Sequence, residues 1–415
     1  MQNAEKLKQI CKLIRYDILT STTAAGSGHP SSSLSAVELM TTLFFDGFLS
    51  YSIQDPSFIF NDRVVFSKGH AAPLLYSLYH AAGVISYEEL MTLRKFDSVL
   101  EGHPTPRFKM IDVSTGSLGQ GLSVGIGMAL GIKLKVTRVP KVFVLLGDSE
   151  MAEGQIWEAM QLASHYKLNN LVGILDVNRL GQRGETMLEW DLKTYEKRIK
   201  SFGWNTIVVD GHDLKKVQKA FTLACSNNLP PTDAVGRPTM IIAKTIKGKG
   251  VSFMENKDGW HGKPVPKDML KTALKELGKI DLNIRGKITL PKFQITNNKS
   301  QTNSKLQNSI NNQMFHVTSY KLQDLVATRE AYGNALVHLG TNENIVVLDG
   351  ETSNSTYAEK FKKIYPNRFF EMYIAEQNMI SVALGFSKIG YIPFSSSFAA
   401  FLTRAFDQMR IAQYS

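Results

Sequence analysis

Asp148 and Asn178 stand 30 residues apart in GDSEMAEGQIWEAMQLASHYKLNNLVGILDVNRL, residues 147–180. This stretch reads as a strand end, a GD turn, an amphipathic helix, a second strand and then Asn178. A right-handed crossover sets the ends of two such strands side by side. One carboxylate and one amide oxygen, with room for phosphate oxygens, suit Mg2+. That ion takes six hard oxygen ligands at about 2.1 Å and readily shares them with a phosphate. Each half alone is weak; together they point to a diphosphate held through a metal. Residues 114–134, STGSLGQGLSVGIGMALGIKL, add a Gly-rich turn feeding a helix. Its amides and the helix N-terminus can approach an anion closely. The same glycines serve equally well for close helix packing, and both readings stay open.

Nine histidines add a third feature. Five of them, His29, His70, His103, His212 and His261, abut glycine, in SGHP, KGHA, EGHP, DGHD and WHGK. By chance about one or two would. Histidine on a tight loop can reach a polar ligand and titrate near neutrality. Any one of them could be a loop histidine bonded to backbone; five together suggest a histidine-lined pocket. Their spacing is not that of a zinc site.

These residues need a frame. The runs VFVLLGD (142–148), LVGILDVN (171–178), NTIVVDGH (205–212) and TMIIAKT (239–245) are continuously apolar. They read as strands of a parallel sheet covered by helices and buried on both faces. Three end in GD, DVN or DGH, and ligands of open α/β sheets sit outside the carboxyl ends of strands. Ordinary turn chemistry also ends strands this way. Residues 296–314, TNNKSQTNSKLQNSINNQM, hold 14 Asn, Gln, Ser or Thr in 19. Such a stretch buries too little apolar surface to offset its ordering entropy and reads as a linker. Beyond it a helix over 328–339 and the strand IVVLDGE (345–351) begin a second α/β unit. The expected organisation is therefore a domain over 1–295, a linker over 296–318, and the start of a further α/β domain over 319–415.

Composition narrows the class. The 415 residues are 43% hydrophobic and 20% charged, ordinary globular values that exclude a disordered or fibrous chain. Two cysteines, Cys11 and Cys225, cannot build a disulfide framework, so a reducing compartment, the cytoplasm, is expected. The N-terminus reads as an amphipathic helix rather than a signal peptide, and no apolar run reaches the roughly 18–20 residues that span a bilayer. The net charge of +11 is concentrated in residues 241–300, with 13 basic against 5 acidic residues. That stretch lacks a nucleic-acid-binding pattern. A solvated basic face, or attraction of small phosphorylated substrates, accounts for it. Neither nucleic acid nor a membrane is expected as a partner.

Set in order, these segments resemble a known family. GDS…LNNLVGILDVNRLGQ resembles the thiamine diphosphate motif of transketolases. SGHPSSSLSAVE, NDRVVFSKGHAAPLLY, EGHPTP, TGSLGQGL, KTIKGKG and DGWHGKP are similar to transketolase segments. ATREAYGNAL, LDGETSNST, IAEQNM and SFAAFLTRAFDQ continue the match beyond the linker, closest to the animal-type branch. The resemblance implies an α/β fold of two domains, the second incomplete, with parallel sheets covered by helices on both faces.

It also implies roles. Asp148, Asn178 and the main-chain carbonyl of Leu180 would hold Mg2+, with Ca2+ or Mn2+ as substitutes. Gly116, Ser117, Leu118 and Gly147 would border the diphosphate, with His70 and His261 also at the cofactor. Glu376 would meet N1′ of the aminopyrimidine, and Phe398 and Phe401 would flank that ring. Glu153 would join a carboxylate network linking the two sites of a homodimer. His29, His103 and His261 would line the sugar channel and move protons on the substrate, and Arg329 and Ser355 would meet its phosphate. Read alone, Phe398 and Phe401 at i and i+3 read as plain core, Glu376 as a helix-surface carboxylate and Arg329 as a solvated charge. Glu376 follows the apolar run FFEMYI, and an apolar surrounding would raise its pKa. Ser149 replaces the family's usual Gly, at a cost of order 1 kcal/mol if its φ is positive. Glu351 stands where the family often has Asp.

The implied reaction is ketol transfer from a ketose phosphate to an aldose phosphate in the pentose phosphate pathway. A dihydroxyacetone or deoxyxylulose phosphate synthase is the neighbouring alternative. Family members continue through the rest of the pyrimidine-binding domain and a third domain, so a truncated, inactive dimerisation partner is the alternative of another class.

Overall fold

The computed structural model describes residues 4–137, 139–226, 236–291, 320–321 and 323–415. The expected linker, 296–318, lies outside them. The chain opens with α1 (Ala4–Ala25), where Leu7, Ile10, Leu13, Ile14 and Ile18 repeat at helical spacing and are buried. It packs with α2 (Val37–Phe45) and α3 (Ala72–Ala81). Between them runs β1 (Arg63–Phe66). Then follow α4 (Gly121–Lys135), β2 (Val142–Gly147), α5 (Gly154–His165), β3 (Leu171–Val177) and α6 (Leu192–Ser201). The domain closes with β4 (Asn205–Asp210), α7 (Leu214–Cys225), β5 (Thr239–Lys244) and α8 (Lys267–Glu276).

The five strands form one parallel sheet in the order β1-β2-β3-β5-β4. β2 and β3 are direct neighbours, with Gly147 beside Asp176, so Asp148 and Asn178 leave adjacent strand ends as expected. One expectation fails. NTIVVDGH is not buried on both faces, because β4 is the sheet edge; only Val209 is buried in it and Val208 is 43% exposed. The short strand β1, RVVF, escaped the sequence reading because four residues carry little periodicity.

The second domain begins with α9 (Thr328–Leu339), at the bounds expected from sequence. The strands β6 (Ile345–Asp349), β7 (Phe369–Glu371) and β8 (Ile392–Ser396) form a parallel sheet in the order β7-β6-β8. The helices α10 (Glu376–Lys388) and α11 (Phe406–Ala412) complete the described part.

One apolar layer joins the two domains. Val144, Leu146 and Leu175 of the first sheet, Ile126 and Met128 of α4, and Val382 and Phe386 of α10 belong to a single buried cluster. The helix α4 is thus sandwiched, and every residue from Gly121 to Ile132 is buried. Its glycines permit this. A Cβ on Gly127 would stand 2.0 Å from the Val382 carbonyl oxygen, and one on Gly385 would stand 2.2 Å from that of Val124. Among the described residues, no helix is long and apolar enough to cross a membrane.

Candidate active site

Four buried charges gather at the ends of β2 and β3. Asp148 is 4% exposed. Its Oδ1 accepts from the Ser149 amide at 2.9 Å, and its Oδ2 accepts from the Arg179 amide at 2.6 Å. Burial, then the charge of Asp176, pushes its pKa up to about 6. Burial works against the charge of Asp176 too, but the Lys68 ammonium and the Ser35 and Thr245 hydroxyls hold that carboxyl below its ordinary range. Asn178 donates from Nδ2 to Asp176 at 3.2 Å, and its Oδ1 accepts from the Leu180 amide at 3.3 Å. Between them Arg179 adopts φ 77°, which turns the chain sharply after Asn178.

Lys247 completes the group. Its ammonium donates to the carbonyls of Leu180 at 2.7 Å and Gly181 at 2.8 Å. Its third proton goes to His261 Nδ1 at 2.9 Å, since an ammonium has no acceptor to offer. Burial, then repulsion from Lys68, pulls the Lys247 pKa down to about 8. These residues fit a divalent metal. Asp148 is a buried carboxylate short of positive charge, and the nearby donors are hard oxygens of the kind Mg2+, Ca2+ and Mn2+ take. The Leu180 carbonyl keeps a second lone pair beside Lys247.

The Gly-rich turn lies next to this group. Gly116 and Gly119 have φ of 138° and 90°, where other residues are strained. A Cβ on Gly69 would stand 2.8 Å from the Gly116 amide nitrogen, so the two backbones meet there. Buried Glu150 pins the turn by accepting from the Gly119 amide at 2.8 Å and from the Ser67 hydroxyl. Glu150 also accepts from the Gly147 amide at 3.1 Å, which ties the end of β2 to the same carboxylate. Leu118 is half-buried on the turn, and the Ser117 hydroxyl is bonded to Asp407. Ser149 is not at positive φ, so it carries none of the cost anticipated from the sequence.

Four of the five glycine-flanked histidines come together. The His29 ring lies 5.2 Å from His70, 6.3 Å from His103 and 5.0 Å from His261, and His70 lies 5.3 Å from His261. A Cβ on Gly116 would stand 2.7 Å from the His103 ring, which ties the cluster to the turn. The fifth, His212, is elsewhere: it bonds Glu38 at 2.9 Å and accepts the Ile246 amide at 2.9 Å. The expectation of titration near neutrality is corrected. Burial, with His103 and Arg94 next, lowers His29 to about 4, and burial with Lys247 lowers His261 to about 3. His70 and His103 are likewise lowered, by burial first and then by Lys68 and Arg94 respectively. The four are neutral imidazoles at pH 7. His29 Nδ1 is buried without a protein partner among the described residues.

The second domain supplies the rest. Glu376 opens α10 and is 2% exposed, yet its surrounding is not simply apolar: Arg404 Nη1 donates to its Oε2 at 2.6 Å. Glu376 thus meets a cation from the segment that follows β8 as well as the apolar contacts expected from FFEMYI. Phe398 and Phe401 meet edge to face at 5.3 Å and are each 45% exposed, so they are not core. Glu153 is exposed at the start of α5. Arg329 is exposed and lies over the Tyr357 ring at 5.8 Å, and half-buried Ser355 lies in the short helix Ser353–Thr356 that packs on α9. Glu351 takes φ 62°, a conformation Asp tolerates better than Glu.

Sequence reasoning missed Lys68, Glu150, Asp176, Lys247 and Arg404. Asp176 and Lys247 were in view, inside DVN and KTIKGKG. Nothing in a sequence marks one lysine of a basic stretch as the buried one.

The family model for the transketolase thiamine diphosphate binding domain matches residues 6–329, and that for the transketolase pyrimidine binding domain matches residues 324–415. The chain is 46% identical over 416 residues to human transketolase, covering 100% of this chain and 64% of the relative. It is 47% identical over 412 residues to mouse transketolase-like protein 2, covering 99% and 63%. The chain thus spans about 64% of the length of the curated relatives it matches. Among solved structures, Campylobacter jejuni transketolase superposes with a TM-score of 0.82 at 26% identity, over 100% of this chain and 68% of that one. Pichia stipitis transketolase in complex with sedoheptulose 7-phosphate gives 0.82 at 22% identity, over 99% and 67%. On the extent of these matches, the chain belongs to the transketolase family.

Proposed function

We propose that this chain carries the cofactor-binding part of a transketolase. It would move a two-carbon glycolaldehyde unit reversibly from a ketose phosphate to an aldose phosphate, in the cytoplasm, with thiamine diphosphate and Mg2+. The observation that carries the reading is Lys247, which bonds the Leu180 carbonyl beside Asp148 and Asn178 on one side and His261 of the four-histidine cluster on the other. When bound, thiamine diphosphate supplies the stabilisation of the two-carbon carbanion that no side chain provides.

The chain's own residues do the remaining work. Asp148, Asn178 and the Leu180 carbonyl would hold the ion, and the turn at Gly116–Leu118 would face the diphosphate. Lys247 fixes the tautomer of His261: with Nδ1 accepting, the proton sits on Nε2 and faces a ligand as a donor. A neutral imidazole with a free nitrogen can take a hydroxyl proton there while donating from the other, so His29 and His103 can shuttle protons on a sugar without building up charge, while His261 would act as a donor from Nε2. Glu376 would hold a proton at N1′, with Arg404 yielding or sharing the carboxylate. Arg329 and Ser355 would meet the substrate phosphate. The Pichia stipitis relative's sugar phosphate complex supports that substrate class.

A homodimer with shared sites is part of the reading. Phe398, Phe401 and Phe406 are 45%, 45% and 71% exposed, the kind of aromatic surface a partner subunit covers. The test is complementation in the natural protein. An Asp148→Ala chain and a Glu376→Ala chain, each inactive alone, should recover about one good site per mixed dimer. No recovery in proven mixed dimers would refute shared sites.

A further inference from the structure

We propose that Asp407 is a positioning residue for the diphosphate turn, setting residues 114–120 from the second domain; this rests on the reading of that turn as an anion site. Asp407 Oδ2 accepts from the Ser117 hydroxyl and from Gln120 Nε2, the latter at 2.6 Å. Its Oδ1 accepts from Arg410 Nε at 3.0 Å and Nη2 at 2.5 Å. Just beyond α11, the Tyr414 carbonyl accepts from the Ser114 hydroxyl at 2.6 Å, and the Ser415 hydroxyl accepts from the Ser114 amide at 2.8 Å. The turn is therefore gripped at Ser114, Ser117 and Gln120, on both sides of Gly116 and Leu118.

The grip answers a physical need. Gly116 and Gly119, both at positive φ, give the turn wide conformational freedom, and fixing them costs entropy on ligand binding. Charge-assisted bonds to a carboxylate are about twice as strong as neutral ones, so Asp407 can bear that cost before the ligand arrives. A carboxylate beside an anion site would repel its ligand, but here Arg410 offsets the charge. Burial works against that charge, yet Ser117 and Arg410 hold Asp407 below its ordinary pKa, so it stays ionised. Arg404, three residues earlier, pairs with Glu376. Segment 403–410 thus touches both the diphosphate turn and the pyrimidine-side carboxyl of one chain. In a dimer with shared sites those halves serve different sites, and this segment joins them.

The experiment is amide hydrogen exchange of the chain without cofactor, paired with equilibrium binding of thiamine diphosphate in Mg2+. Asp407→Ala should speed exchange across residues 114–120 by about tenfold while β2 and the interior of α4 stay protected. It should weaken thiamine diphosphate binding by about tenfold. Asp407→Asn keeps an oxygen for Ser117 and should lose less on both counts. Unchanged exchange in the turn overturns the grip; faster exchange with unchanged affinity overturns the positioning role. If Asp407→Ala loosens the whole second domain, Gln120→Ala removes a bond from the turn's side and must still speed exchange in 114–120, or the proposal falls. A wild-type chain that binds no thiamine diphosphate would instead refute the site reading, with exchange still deciding the grip.

Discussion

Replacing Gly127 by Ala tests how the two domains are held together. The new Cβ would stand 2.0 Å from the Val382 carbonyl oxygen and 2.9 Å from the Gly385 Cα. An ordinary carbon–oxygen contact is about 3.3–3.6 Å, so α4 and α10 must part by more than about 1 Å. The obstacle is backbone, and no rotamer change relieves it. Overpacking of this kind costs about 1–3 kcal/mol, and a gap of that width also weakens the dispersion contacts of Val382, Phe386 and Met379. The clash is with rigid backbone, so the cost falls at the upper end of that range, about 3 kcal/mol; Ala gains about 1 kcal/mol over Gly in a helix interior, leaving a net loss of about 2 kcal/mol. Urea unfolding followed by circular dichroism should show the midpoint fall with the slope unchanged. Gly154→Ala is the control: it opens α5 with nothing within 4 Å of the new Cβ, and should be neutral or mildly stabilising. A Gly127→Ala protein as stable as wild type would refute the close crossing of these helices.

Two further outcomes follow from the site. His29 and His261 have folded pKa values of about 4 and 3 against about 6.5 unfolded. Both are depressed, so their contribution to stability is full above pH 6.5 and is lost as pH falls toward 4 and 3. Asp148, raised to about 6, works the other way and gains stability as pH falls through 6. NMR of the imidazole protons should show neither His29 nor His261 titrating between pH 8 and 5.5; a midpoint near 6.5 for either would contradict the buried neutral cluster. Ser149→Gly relieves no strain, since Ser149 is not at positive φ, and should leave cofactor affinity unchanged by isothermal titration; tighter binding in the Gly variant would show that the serine is a burden after all.

The legible parts of this chain were those where one pattern had one cause. Four apolar runs became β2, β3, β4 and β5, and a helical repeat became α9 at its expected bounds. Asp148 and Asn178 were legible because a parallel crossover fixes where strand ends go. Residues 114–134 had two causes, and both operate: Gly116 and Gly119 shape the turn while Gly127 admits α10. The edge position of β4 could not be read, because strand order is a property of the assembled sheet. The electrostatic partners were least legible. Glu376 met Arg404 from 28 residues away, and the histidines lost their protons through burial and neighbouring cations. Such pairings depend on which side chains folding brings together.

The most direct test of the central claim is C2–H/D exchange of thiamine diphosphate bound with Mg2+, followed by NMR in wild type, Glu376→Ala and Glu371→Gln. Glu371 is the control, a carboxylate five residues earlier whose Oε1 accepts the Glu351 amide at 2.9 Å, a bond that Gln can keep. Glu376→Ala should slow exchange by about a hundred- to ten-thousandfold, the range for a lost acid–base group, with metal-dependent binding weakened far less. Glu371→Gln should exchange as wild type does. Exchange at the wild-type rate in Glu376→Ala would contradict the assignment and leave the bound cofactor without an activating carboxyl group in this chain.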